Sequence, residues 1–219
     1  MKQWKVVIFD LDGTLLNTIA DLGNACNVAM EAFGYPKHDE ATYKTYVGNG
    51  IYKLVERSIP ASMRNEAHVK EVKTVFDAYY KAHSLDETRP YFGIETLLEH
   101  LNKQGIACGV VTNKAHEYAV DLMKRFFGEA IGHTLGQREG VPTKPNPQAV
   151  YEMMTYFEAK PEECLYVGDS NVDIQTAKAA GVTSVGVLWG FRGEDELRAE
   201  GADYLVSSTQ ELEDLILGK

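Results

Sequence analysis

Apolar, strand-like runs alternate with helical stretches, one long helical segment interrupts that alternation, and a pair of acids follows the first apolar run directly. Together these predict an α/β protein: an open, doubly wound parallel sheet with a smaller all-helical domain inserted behind its first strand. Val6-Val7-Ile8-Phe9 is continuously apolar and ends at Asp10, as expected of a strand buried on both faces. Ile106–Val111 (IACGVV) and Cys164–Val167 (CLYV) repeat the pattern, and Ser184–Leu188 and Tyr204–Val206 are shorter versions of it. Helices are expected between these runs, over residues 94–104, 116–127, 147–157 and 173–180. In the first of them Ile94, Leu97, Leu98 and Leu101 recur at helical spacing, so one stripe faces a core. Gly105, Gly128 and Gly181 each follow a helix, where a left-handed terminal residue is wanted. Residues 15–83 carry no strand signal and read as helices over 20–33, 40–46, 51–58 and 64–82. The expected organisation is therefore a sheet domain of residues 1–14 and 84–219 and a helical domain of 15–83, with Arg89-Pro90-Tyr91-Phe92-Gly93 as the hinge back to the sheet.

Composition narrows the function classes. The 219 residues carry 22 Lys+Arg against 32 Asp+Glu, a net charge of −10, with 44% hydrophobic residues. A chain of this size buries roughly 70% of its unfolded surface and folds without disulfides or a structural metal. The acidic balance argues against nucleic acid, which is bound by neutralising phosphates. No run approaches eighteen apolar residues, so no membrane span is expected, and the start (Met1-Lys2-Gln3-Trp4) lacks a signal-peptide h-region. Cys26, Cys108 and Cys164 are far apart and outside any CxxC spacing, and they read as reduced core thiols of a cytoplasmic protein.

The chemistry is concentrated in Asp10-Leu11-Asp12-Gly13-Thr14, directly after the first strand. In an open α/β sheet, ligands bind beyond the carboxyl ends of the strands, which is where this pair sits. Two carboxylates on a tight Gly-containing loop repel each other and raise each other's pKa unless they share a cation, and hard carboxylate oxygens suit Mg²⁺. By composition alone D-x-D-G-T arises in roughly one chain of this size in several hundred. The blander reading is an acidic turn before a helix capped at Asn17 or Thr18. Val110-Val111-Thr112-Asn113-Lys114 ends the second strand with a hydroxyl and an amide, and backbone N–H groups opening a helix there form an anion site. Lys144-Pro145-Asn146-Pro147 sets one lysine before a rigid turn. Gly168-Asp169-Ser170-Asn171-Val172-Asp173 ends the third strand with two more acids. Asp173 reads equally as a helix N-cap. Asp169 does not, because it follows the buried run immediately. An anionic nucleophile, a proton donor, a metal, a lysine and backbone donors are the parts that phosphoryl transfer needs.

These four motifs, in this order, resemble those of the haloacid-dehalogenase superfamily, and within it the phosphoglycolate-phosphatase-like phosphatases with a helical cap. Val47-Gly48-Asn49-Gly50, Ala177-Lys178-Ala179-Ala180-Gly181 and Gly201-Ala202-Asp203-Tyr204 add weaker echoes, so the resemblance spans nearly the whole chain. It implies a Rossmann-like core and a small phosphomonoester as substrate. Asp10 would be the phosphorylated nucleophile and Asp12 the acid and later base. Asp10, Asp169 and the Asp12 carbonyl would hold Mg²⁺, with Asp173 steadying the metal site or Lys144 from behind. Thr112 and the Asn113 backbone would hold the phosphate, and Lys144 would balance charge. The Asn17-Thr18 pair departs from the Asp-Ser common in the family. An acid at position 12 points to a phosphatase or phosphomutase rather than a dehalogenase. A sugar phosphomutase and a catalytically silent binding module are the rival readings. Gly50-Ile51-Tyr52, where mutases of this architecture carry an arginine, favours the phosphatase.

In the cap, Gly48, Asn49 and Lys53 are expected to read the leaving group, and Lys53 and Arg57, one turn apart, are suited to a second anion; a solvated helix face is the alternative. The six histidines show no zinc spacing. Trp189-Gly190-Phe191-Arg192 reads as loop packing rather than a dimer contact, and the expected assembly is a monomer or homodimer.

Overall fold

A computed structural model describes residues 4–219. Two compact units emerge, one reaching Leu15 and resuming over Pro90–Lys219, the other Leu16–Arg89.

In the first unit six parallel strands lie in the order β5-β4-β1-β6-β7-β8. They are β1 (Val6–Phe9), β4 (Ala107–Ala115), β5 (His133–Gln137), β6 (Cys164–Gly168), β7 (Thr183–Val187) and β8 (Tyr204–Val206). β1 is central because all four of its residues are fully apolar, and it pairs with β4 on one side and β6 on the other. Phe9 aligns with Val110 and with Val167, so the chain segments leaving all three strands emerge side by side. Strand order reverses at β1, which is the position where doubly wound sheets bind ligands. Val6, Ile8, Val111, Leu135, Val150, Met153 and Tyr166 form part of the core on one face.

The flanking helices are α5 (Ile94–Lys103), α6 (His116–Phe127), α7 (Gln148–Tyr156), α8 (Asn171–Ala180), α9 (Glu194–Ala199) and α10 (Thr209–Leu217). The predicted stripe of α5 is buried in full. Three features differ from the sequence expectation. β5 (HTLGQ) was not foreseen, because this edge strand buries only Leu135 and Gly136 and has no β-branched run. α10 was not foreseen either; Ser208 caps it by accepting from Glu211 N, and Leu212 and Ile216 are buried. β4 runs past Val111 to Ala115 through a register shift, so Thr112-Asn113-Lys114 is strand rather than helix start.

The second unit consists of α1 (Ile19–Ala32), α2 (Glu40–Tyr46), α3 (Ile51–Ser58) and α4 (Glu66–His83), close to the expected helices. Asp39 and Asn65 cap α2 and α4 through Thr42 N and His68 N. Its boundary lies beyond residue 83, and the reason is local. The buried Asp21 carboxylate of α1 accepts from Glu87 N (3.0 Å), Thr88 N (2.9 Å) and Thr88 Oγ1 (2.7 Å), which ties residues 87–88 to the helices. Two-residue strands β2 (Leu16–Asn17) and β3 (Arg89–Pro90) pair as a separate ribbon, a small departure from the strand-free stretch expected there.

Candidate active site

Asp10 follows β1 and donates its N–H to Val167 O at 2.8 Å. Its side chain is buried, with Lys144 Nζ 2.9 Å from Oδ1. That contact is an ion pair without hydrogen-bond alignment, and Oδ1 accepts no well-formed hydrogen bond. Burial pushes the Asp10 carboxyl up to about 6 from 3.8; Lys144 opposes the rise, and Asp173 and Asp12 add to it.

Lys144 reaches Asp10 because the strand end of β4 pins its loop. Asn113 Oδ1 accepts from Lys144 N (2.8 Å) and Asn113 Nδ2 donates to Lys144 O (3.2 Å). The same ammonium donates to Asp173 Oδ1 at 2.7 Å. Burial alone would lower the pKa of Lys144, but Asp10 and Asp173 outweigh it and hold the group well above the usual lysine range. Asp173, fully buried near the start of α8, also accepts from Ser170 N (3.1 Å) and Ser170 Oγ (2.6 Å). Its N-cap partner is therefore Ser170, and the capping box and the charged site share one carboxylate.

Asp169, just past β6, accepts from Phe191 N (2.6 Å) and, more weakly, from Thr14 Oγ1 (3.4 Å). Burial, Asp173 and Asp10 raise its carboxyl well above the ordinary range, against the Phe191 hydrogen bond and Arg192. The Trp189–Arg192 segment thus packs on the site: Trp189 Nε1 donates to Thr14 O at 3.0 Å. Two glycines make this closure possible. A Cβ on Gly13, whose φ is +89°, would strike the Asp169 carboxylate, and one on Gly190 would strike Asp169 Cβ and Gly13 O.

Asp10, Asp169 and Asp173 each present an oxygen, all within 4.8 Å of one another. With Asp12 they make four carboxylates, and the buried ammonium groups near them belong to Lys114 and Lys144. Among the described residues the carboxyl groups outnumber the buried ammonium groups beside them, and a divalent cation held by hard oxygen ligands would offset that excess. The donor set fits such an ion.

Thr112 and Asn113 are buried at the same strand end, and Thr112 Oγ1 accepts from Lys114 N at 3.2 Å. Sequence reasoning missed two members of the site. Lys114, quoted only as the tail of a motif, turns inward and donates to Asp12 Oδ1 at 3.0 Å. Tyr166, in mid-strand, donates its hydroxyl to Val111 O (3.0 Å) and lies 3.4 Å from Asp173 Oδ1. Neither carries a local signal, since a lysine after Thr-Asn reads as a loop residue and a strand tyrosine as core.

In the helical unit Gly48 (φ +123°) and Gly50 (φ +82°) shape the α2–α3 loop. Arg57 braces it, donating to Asn49 Oδ1 (2.7 Å) and Tyr46 O (2.6 Å), while Lys53 pairs with Glu56 at 2.6 Å.

A doubly wound parallel sheet with a buried carboxyl cluster at its switch point, and a helical unit inserted after its first strand, defines a Rossmann-like α/β protein. The family model for haloacid dehalogenase-like hydrolases matches residues 7–187, and the chain belongs to that family. It is 32% identical to the phosphoglycolate phosphatase of Vibrio parahaemolyticus over 218 residues, 97% of this chain and 96% of that one. It is 31% identical to the phosphoglycolate phosphatase of Haemophilus influenzae over 217 residues, 96% and 97% of the two chains. A solved protein of Lactobacillus delbrueckii subsp. bulgaricus, to which phosphoglycolate phosphatase activity is ascribed, superposes with a TM-score of 0.94 at 32% identity, over 99% of this chain and all of that one. Among the described residues no helix is long and apolar enough to cross a membrane.

Proposed function

We infer that this hydrolase cleaves a small phosphomonoester, a phosphoglycolate-like compound first among them, through an aspartyl-phosphate on Asp10. The observation that carries this reading is the ion pair of Asp10 with Lys144 inside a buried cluster of Asp10, Asp169 and Asp173 carboxyl groups. Asp10, Asp169 and the Asp12 carbonyl would hold Mg²⁺, with Asp173 behind them. The ion would neutralise charge on the phosphoryl oxygens. Asp10 attacks phosphorus while Asp12 protonates the departing alcohol. Asp12 then takes a proton from the water that cleaves the acyl phosphate, so one hard hydrolysis becomes two easier steps. The Thr112 hydroxyl and the Asn113 N–H hold the transferring oxygens, and Lys144 balances their charge. Gly48, Asn49 and Lys53 would select the remainder of the substrate. The free, buried thiols Cys26, Cys108 and Cys164 support a cytoplasmic setting.

The test is phosphate release from a panel of phosphomonoesters with Mg²⁺ and with EDTA, beside Asp10→Asn. Metal-dependent release that the variant loses is expected. An active Asp10→Asn would refute the covalent route, and isomerised sugar phosphate without free phosphate would replace the phosphatase with a mutase.

A further inference from the structure

The proton donor of the proposed reaction stands at the tip of a tight glycine-containing loop, where a carboxylate has several rotamers, and only one delivers a proton to the leaving oxygen. Lys114 meets this need. Its side chain is 1% exposed, and its Nζ stands 3.0 Å from Asp12 Oδ1 and 3.5 Å from Oδ2. Its backbone is held as well: Ala115 beside it pairs with Gln137 of β5, Lys114 N donates to Thr112 Oγ1, and the neighbouring Asn113 side chain clamps the Lys144 loop. The Lys114 and Lys144 ammonium groups thus divide the two acids of the D-x-D pair between them, Lys144 at Asp10 and Lys114 at Asp12.

We propose that Lys114 is a positioning residue for proton transfer, holding the Asp12 carboxyl group in the orientation that serves the leaving alcohol; this rests on the phosphatase reading. The ammonium contacts both carboxyl oxygens, at 3.0 Å to Oδ1 and 3.5 Å to Oδ2, and so limits rotation of the group. As the Asp10 Oδ–phosphorus bond forms, the ester P–O bond breaks, and the Asp12 carboxyl proton passes to the departing oxygen. Asp12 is left as a carboxylate beside Lys114. In the second half that carboxylate takes a proton from the water attacking phosphorus, the bond from phosphorus to Asp10 breaks, and Asp12 is again the acid.

The experiment compares an alkyl ester, whose alkoxide must be protonated, with p-nitrophenyl phosphate, whose phenolate leaves unaided. Lys114→Met is expected to slow single-turnover release of the leaving group about 100-fold for the alkyl ester and less than about 5-fold for the aryl ester, because this readout isolates the first half-reaction from the hydrolysis step that both esters share. Asp12→Asn should show the same selectivity, and Lys114→Met on that background should add no further loss. Lys114→Gln, which keeps a hydrogen-bond donor, should fall between Met and wild type, and it carries the same comparison if Lys114→Met does not fold. Equal losses on both esters, or losses that multiply with Asp12→Asn, would overturn the assignment while leaving the phosphatase intact. Wild-type protein that releases phosphate from neither ester would overturn both.

Discussion

Replacing Asp10 with Asn should make the protein more stable in EDTA while destroying its activity. The Asp10 carboxyl is raised by burial first, against Lys144, to about 6 from 3.8. A carboxyl whose folded-state pKa is raised costs stability above that pKa, and the cost vanishes as pH falls through it toward the unfolded value. The shift of 6 − 3.8, about 2.2 units at about 1.36 kcal/mol each, corresponds to about 3 kcal/mol at pH 7.5. Asn at position 10 carries no charge at any pH, and Lys144 retains Asp173 as a partner at 2.7 Å. In urea denaturation with EDTA at pH 7.5, Asp10→Asn is therefore expected to exceed wild type by up to about 3 kcal/mol, a Tm rise of about 6–12 °C for a chain of this size. The gap should narrow to about 1 kcal/mol by about pH 4.5 and close only below the unfolded value of 3.8, where Asp10 is protonated in both states. Millimolar Mg²⁺ should reverse the order, because wild type gains binding energy through a ligand that the variant lacks. A variant less stable than wild type in EDTA at pH 7.5, or a difference independent of pH, would refute the claim that this carboxylate is buried at a cost.

Gly190→Ala should displace Asp169, costing about 1–3 kcal/mol in denaturant unfolding and weakening Mg²⁺ binding measured by calorimetry, since the new methyl would meet both Asp169 and the Gly13 carbonyl. Asp21→Asn should destabilise the protein by about 2–3 kcal/mol, because the amide nitrogen that replaces one carboxylate oxygen would face an N–H donor, and the remaining oxygen would accept without a charge. Burial pushes the Cys26 and Cys108 thiols up to about 12 and Cys164 to about 11, so native protein at pH 8 should show essentially no reaction with a disulfide reagent, and all three thiols should react once it is unfolded.

The helices of the second unit and the strands β1 and β6 are legible along the chain because each is written as a local pattern: helical spacing of apolar residues between caps, or an unbroken apolar run buried on both faces. The acids after β1 and β6 are legible for the same reason, since a charged residue directly behind a buried strand has one place to go. β5 escaped because an edge strand half covered by its neighbour needs no apolar run, and α10 because its short run buries only two apolar residues, Leu212 and Ile216, among acidic and polar ones. Neither could be weighed without knowing what packs against it.

The inner geometry of the site belongs to the same kind of information. Lys114 and Asp12 are 102 residues apart, Phe191 N and Asp169 are 22 apart, and Tyr166 and Val111 are 55 apart. The residues themselves determined that acids would follow β1 and β6 and that a lysine would stand before a rigid turn. Which lysine serves which acid was decided only when β4 and β6 registered against β1, because an ion pair is specified by distance in space, and local sequence spacing carries no record of which distant segment will close that distance.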